Sequence, residues 1–223
     1  MLLSDRHDDS ELLAPVSVMA RRPSPPDAME GLAVSRVCGR GDQIYGREDP
    51  VDCWYRIVSG MARKSTIFPD GRRRIVDFLL PDDFFGFSAR EQRYFDVEAV
   101  SDGTVVAAYS RRAVEELAET EPEVGRLLRN LAFESISRLQ ARILILGRVT
   151  AVRKVGAFLL EMAARSSRPD LPLVLTMSRY DIADYLALSV ETVSRAITHL
   201  QGRGCIALLG KHEIKLLDRD GLG

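Results

Sequence analysis

Glu191, Ser194 and Arg195 fall at i, i+3 and i+4, a spacing that puts three side chains on one face of a helix. Each carries a chemistry that reads a base edge: arginine donates two bonds to guanine O6 and N7, glutamate accepts from cytosine N4, and serine bonds either way. Arg179, Thr192, His199 and Lys211 stand close by in the chain with donors suited to phosphates, which give affinity without sequence information. The alternative is an ordinary i,i+4 surface pair between Glu191 and Arg195, contributing roughly a few tenths of a kcal/mol.

The elements around these residues decide between the two. Ser178-Arg179-Tyr180-Asp181 has the form of a capping box and opens a short helix whose Ile182, Ala183 and Leu186 point inward. Ala187-Leu188-Ser189 makes a tight turn, and Ser189 caps a second helix running to about Gln201. Val193, Ile197 and Leu200 form that helix's buried side, and Gly202-Arg203-Gly204 ends it. Ile206–Leu209 and Ile214–Leu217, separated by Gly210-Lys211, follow as a hairpin wing. Helix, turn, helix and wing form a winged helix-turn-helix, whose second helix enters the major groove and reads it with its first half.

Upstream, four segments are expected. Residues 1–30 form a mobile arm, because Arg21-Arg22-Pro23-Ser24-Pro25-Pro26-Asp27 cannot hold regular structure. Residues 31–119 read as short strands between turn signals, among them Asp70-Gly71 and Asp102-Gly103, followed by a short helix over Arg111–Glu119. Six or more such strands imply a sandwich or barrel. Residues 120–148 form a long helix, started by Thr120 as N-cap with Pro122 close behind. Leu128, Leu131, Leu139, Ile143 and Leu146 recur along it at near-heptad steps. Such a helix, about 39 Å long at 1.5 Å per residue, outruns one small barrel and favours pairing with a second subunit over a stripe that packs only on its own strand-rich domain. Residues 149–223 hold the winged helix-turn-helix, with Thr150 capping a first helix through Ala164 and Pro172–Leu175 forming a short strand.

Composition narrows the class. The 223 residues are 46% hydrophobic and 28% charged, with a net charge of −1, so nucleic acid must be met by a local patch. Residues 1–150 carry 21 basic and 24 acidic side chains and residues 151–223 carry 10 and 8, an asymmetry of the right sign but small. No apolar run approaches the ~18–20 residues that span a bilayer, and Met1–Ser10 lacks a signal-peptide core, so a cytoplasmic protein without membrane association is expected. Three scattered cysteines, at 38, 53 and 205, predict neither a disulfide framework nor a metal site. No Gly-x-Ser-x-Gly elbow, phosphate-binding glycine loop or His-Glu-x-x-His motif occurs, and an enzyme is not expected.

Asp181-Ile182-Ala183-Asp184-Tyr185-Leu186 through Glu191-Thr192-Val193-Ser194-Arg195 resembles the DNA-binding signature of the CRP/FNR superfamily of bacterial transcription regulators. Its Glu-x-x-Ser-Arg core is similar to the FNR and FixK branch. The Asp70-Gly71 hairpin and the Pro81-Asp82-Asp83-Phe84-Phe85-Gly86 segment occur in the family's order. The resemblance implies an α+β fold: an N-terminal cyclic-nucleotide-binding-like β jelly roll, a long dimerisation helix and a C-terminal winged helix-turn-helix. It implies a homodimer on a palindrome like TTGAT-N4-ATCAA, with Arg195 on guanine, Glu191 on the paired cytosine and Ser194 on a thymine. Activation through RNA polymerase, of low-oxygen, nitrogen-fixation or denitrification genes, follows from the same resemblance.

Members that bind cyclic AMP present an Arg-Ser pair to the cyclic phosphate. Here the corresponding stretch, Phe85–Arg90 and then Tyr94–Ala99, is aromatic and acidic, with Asp96 and Glu98 set to repel a phosphate and only Arg90 or Arg93 as substitutes. The cysteine cluster of oxygen-sensing members is absent before Cys38, and His7, His199 and His212 lie outside the strand-rich region. The expectation is a regulator that needs no cyclic nucleotide, metal or iron–sulfur cofactor. A member gated by a small molecule, either a cyclic nucleotide or haem with nitric oxide, is the alternative. Cys205 beside the second helix is a candidate redox site or simply a buried thiol.

Overall fold

Between residues 33 and 110, runs of apolar and polar residues alternate, and each run becomes a strand. A computed structural model describes residues 25–166 and 171–223. The strands are β1 (Ala33–Cys38), β2 (Gln43–Tyr45), β3 (Cys53–Ser59), β4 (Ala62–Ile67), β5 (Arg73–Leu79), β6 (Phe84–Phe85), β7 (Asp96–Ala99) and β8 (Thr104–Ser110). They form two antiparallel four-stranded sheets, ordered β1-β8-β3-β6 and β2-β7-β4-β5, a jelly-roll arrangement. Ile57, Phe85 and Val106 of the first sheet pack on Ile44, Leu79 and Val97 of the second, so the alternation buries one side of each sheet. The expected Asp70-Gly71 turn closes the β4–β5 hairpin. Gly71 there has φ +79°, which a side chain would strain.

A helical turn, α1 (Asp27–Glu30), precedes the roll, and its Met29 is fully buried beside Trp54, Phe84 and Tyr109. The expected arm therefore ends earlier than residue 30, because the apolar Met29 side chain is drawn into a core. The rest of that arm, residues 1–24, lies outside the described residues, as does His7.

Helices α2 (Arg111–Thr120) and α3 (Pro122–Gly147) leave the roll. Ser110 caps α2. Thr120 does not cap α3 as expected; its hydroxyl donates to the Leu117 carbonyl and closes α2, while Glu121 stands at the α3 N-cap and Pro122 at its first turn. Val124, Leu127 and Leu131 of α3 bury in the same cluster as Met29, and Ile145 at its far end joins the core of the C-terminal half.

That half consists of α4 (Ala151–Arg165), capped by Thr150, then β9 (Leu173–Val174), α5 (Arg179–Leu186), α6 (Val190–Gly202), β10 (Ile206–Leu208), β11 (Glu213–Leu216) and a final 3-10 turn at Asp220–Leu222. The wing is three-stranded, ordered β10-β11-β9, because Leu173 and Val174 pair with Ile214 and Glu213. A Cβ on Gly156 of α4 would lie 2.3 Å from the Leu222 carbonyl oxygen, so only glycine lets the last turn pack there.

The roll and the C-terminal half share one core. Phe78 of β5 packs against Phe158 and Tyr185, with ring centroids 6.1 and 5.2 Å away. Arginines seal the edge of this contact. Arg142 of α3 donates to the carbonyls of Ile75, Val76 and Tyr185 and lies over the Tyr185 ring. Arg165 of α4 pairs with Asp77 and Asp83, and Arg138 of α3 also reaches Asp83, at 2.7 Å. Asp83 comes from the Pro81–Gly86 segment, whose carboxylate thus ties the roll to two helices.

Candidate nucleic-acid interface

The helix-turn-helix is built from local rules. Ser178 and Asp181 make both bonds of a capping box, the Ser178 hydroxyl accepting from the Asp181 amide at 3.1 Å and the Asp181 carboxylate from the Ser178 amide at 3.0 Å. Ile182, Ala183 and Leu186 of α5 are buried. Ala187 then takes the left-handed conformation, φ 55° and ψ 46°, and ends α5 without a glycine. Ser189 caps α6 by accepting from the Thr192 amide at 3.1 Å.

Val193, Ala196, Ile197 and Leu200 of α6 face inward. The opposite face carries Glu191, Ser194 and Arg195, all exposed and none covered by the roll. Among the described residues, no ion pair joins Glu191 to Arg195. The surface-pair alternative is therefore not formed. The Glu191 carboxyl is held below its usual range by backbone hydrogen bonding at the helix start, by the Ser189 hydroxyl and by the Arg195 charge. It is an acceptor at neutral pH. Ser194 donates to the Val190 carbonyl at 2.9 Å.

The phosphate candidates spread around this face. Arg179 is the first residue of α5, half-buried, with its Nη1 buried and lacking an acceptor, and burial lowers its pKa. Thr192 lies in the first turn of α6, its hydroxyl 2.9 Å from that of Ser189. His199 is exposed in the last turn of α6. Lys211 is exposed in the wing turn between β10 and β11.

The reading head is held to the roll by carboxylates of α5, Asp181 foremost. Asp181, besides capping α5, pairs with Arg63 of β4 at 3.0 Å and Arg73 of β5 at 2.7 Å. Arg73 also pairs with Asp184 at 2.8 Å, and Arg63 with Glu98 at 2.7 Å. Burial raises the Asp181 pKa, but the Ser178 bonds and the two arginine charges outweigh it and the net shift is downward.

The five residues expected to join subunits differ in burial along α3. Leu131 is 4% exposed and Leu128 half-buried, both against their own subunit's roll-side cluster, and Leu146 is half-buried. Leu128 and Leu131 are thus packing positions of their own subunit, because the roll and α2 cover the start of α3. Leu139 and Ile143 are 54% and 69% exposed, and Phe133, Ile136 and Leu144 join them.

The roll interior holds a residue whose role no motif announces. Arg93 is buried, with its guanidinium 3.9 Å from the Tyr45 ring centroid and 5.2 Å from that of Tyr55, and it donates to the carbonyls of Gly86 and Cys53. Burial pushes the Tyr45 pKa up to about 12 against the lowering effect of the Arg93 charge. Tyr45, Tyr55 and Phe85 pack on one another around it. The strand carboxylates are also occupied, Asp96 accepting from the Arg47 amide and Glu98 pairing with Arg63. These residues do not fit a cyclic nucleotide, since the cation nearest the cassette is already bonded inward. Arg90, the other substitute, lies over the Tyr94 ring. Cys205 is buried, with its thiol 3.7 Å from the Gly221 carbonyl oxygen. Among the described residues, no acidic, histidine or cysteine group is arranged to hold a metal ion, and no helix is long and apolar enough to cross a membrane.

Comparisons with known proteins agree with this geometry. The model of the Crp-like helix-turn-helix domain matches residues 153–223, and that of the cyclic nucleotide-binding domain matches residues 35–121. The nitrogen fixation regulation protein FixK of Azorhizobium caulinodans is 38% identical over 202 residues, covering 89% of this chain and 81% of that protein. The transcriptional activator protein FnrL of Cereibacter sphaeroides is 32% identical, covering 85% and 79%. The solved structure of FixK2 from Bradyrhizobium japonicum matches with a TM-score of 0.79 at 35% identity, covering 85% of this chain and 95% of that one. A jelly roll with a docked winged helix-turn-helix and an uncovered reading face defines a DNA-binding transcription regulator. The chain belongs to the CRP/FNR family, in its FixK-type branch.

Proposed function

We propose that the protein acts as a homodimer on an FNR/FixK-like palindrome of the form TTGAT-N4-ATCAA. Arg195 reads the guanine, Glu191 the paired cytosine and Ser194 a thymine, while Arg179, Thr192, His199 and Lys211 hold phosphates. The observation that carries this reading is the unpaired, exposed triad of Glu191, Ser194 and Arg195 on the first half of α6. A phosphate at α5 would also supply the acceptor that Arg179 Nη1 lacks. Leu139 and Ile143, with Phe133 and Ile136, supply the apolar stripe for pairing α3 with its copy.

The regulator works in the cytoplasm without a cyclic nucleotide or iron–sulfur cofactor, and its activity follows its abundance. The inward commitment of Arg93 and the anchoring of Asp181 by two roll arginines support this, since neither needs a ligand to form. It activates transcription through RNA polymerase at genes of low-oxygen metabolism, nitrogen fixation or denitrification, and it catalyses no reaction; the names of its relatives support activation and a part in nitrogen fixation. A footprint on a TTGAT-N4-ATCAA duplex with purified protein and no added ligand tests the reading. Protection of the palindrome supports it, and protection that appears only with cyclic AMP or another small molecule overturns the ligand-free part.

A further inference from the structure

Three arginines, Arg72, Arg73 and Arg74, stand in a row where the β4–β5 hairpin enters β5. They form one side of a groove whose other side is Asp184, Leu188 and Ser189 of the helix-turn-helix. Their charges are not equivalent. Arg73 is committed to Asp181 and Asp184. Among the described residues Arg72 pairs only with Asp70, and both side chains are exposed, so water competes and the pair exchanges readily. Arg74 forms no ion pair with any described residue, and its charge acts on Asp70 only at a distance.

The far wall of the groove is part of the reading head. Ser189 is the N-cap of α6, so the positive end of that helix opens at the groove, two residues from Glu191. A strand whose bases meet Glu191, Ser194 and Arg195 carries its phosphates past the start of α6. We propose that this groove receives the sugar-phosphate backbone of double-stranded DNA, with Arg74 and Arg72 as phosphate contacts. The β roll is then part of the DNA footprint rather than a platform behind it. The inference rests on the DNA-binding reading above and extends it to a domain in which no nucleic-acid contact was expected.

The test titrates full-length wild type, Arg74→Ala, Arg74→Lys and the Arg72→Ala/Arg74→Ala double variant against the palindromic duplex, with a full helical turn of flanking DNA on each side. A random duplex and a series of salt concentrations complete the set. Arg112→Ala serves as the control, since that exposed α2 arginine pairs, among the described residues, only with Glu116. The double variant is expected to bind several-fold more weakly on both duplexes. Its plot of log affinity against log salt should flatten by about 0.9 for each phosphate no longer neutralised, summed over both protomers. Arg74→Lys should keep the slope, which separates the effect of charge from a failure to fold. Variants that match a binding-competent wild type in affinity and slope overturn the groove alone. Intact DNA binding with abolished transcription in a purified polymerase assay overturns it too, in favour of a protein partner. A wild type that fails on every duplex overturns the DNA reading itself.

Discussion

Arg73 of the jelly roll and Asp181 of the helix-turn-helix are joined at 2.7 Å, 108 residues apart in sequence. The Asp181 side chain is 3% exposed and also completes the capping box of α5. The group that starts the first helix of the reading head is thus the group that fixes the head to the roll.

Asp181→Ala removes a cap and leaves Arg63 and Arg73 without this partner at once. The cap alone contributes about 0.5–2 kcal/mol and a broken buried ion pair about 3–5 kcal/mol; because Arg63 and Arg73 are partly exposed and keep Glu98 and Asp184, a loss at the low end of the sum, about 3.5–4 kcal/mol, is expected in urea unfolding. A loss under about 1 kcal/mol would show that water replaces these bonds. The pH dependence has a definite sign. The folded pKa lies below the ordinary aspartate value of 3.8, so this stabilisation is present above about pH 4 and fades as pH falls through the folded value. The gap in melting temperature between wild type and Asp181→Asn should therefore close in acid.

Arg195→Ala should cost about 1–3 kcal/mol per half-site and relax discrimination at one base pair. Competition between the palindrome and single-base variants measures it. An equal loss on random DNA would assign Arg195 to the backbone instead.

Ile143→Glu and Leu139→Glu place charges on the exposed stripe of α3 and should shift the protein toward monomer in analytical ultracentrifugation, with weaker binding to the full palindrome. Leu131→Ala should act differently. It empties a buried site of its own subunit and should lower stability by about 2–5 kcal/mol while the dimer persists. A Leu131→Ala monomer of full stability would restore that residue to the interface.

Millimolar cyclic AMP should leave the melting temperature of wild type unchanged, because the Arg93 guanidinium is already engaged by Tyr45, Gly86 and Cys53. Arg93→Met should destabilise the roll by leaving two buried carbonyls short of a donor. A cyclic AMP shift of several degrees in wild type would show that Arg93 yields to the nucleotide.

Ala187→Gly should raise stability by about 1 kcal/mol, since the left-handed conformation at φ 55° is one that alanine adopts under strain. No change on urea unfolding would mean that the extra freedom of glycine in the unfolded chain cancels the relief.

Much of this architecture is legible in the residues because it rests on local signals. Asp70-Gly71, Ser178 with Asp181, and Ser189 are short-range devices, and each forms the turn or cap that its type predicts. The exposed face of α6 follows from its 3.6-residue period. What escaped depends on contacts between distant segments. Nothing near Leu131 tells it apart from Leu139; only the roll and α2, folding over the start of α3, make one internal and leave the other in solvent. Thr120 fits the N-cap pattern, yet its hydroxyl bonds backward to Leu117. Arg93 looks like a solvated charge in a loop until Tyr45 and Tyr55, far away in sequence, close around it.

Phe78 has a consequence for how the molecule can be taken apart. It belongs to the roll, yet its ring packs on both Phe158 and Tyr185. A fragment beginning at Thr150 would present that aromatic face to water without Arg138 and Arg142, and with Arg165 stripped of Asp77 and Asp83. The reading head is thus not a transferable cassette. Grafting it onto another sensor would require carrying Phe78 and Arg73 with it, and a chimera joined without them would be expected to aggregate rather than bind DNA.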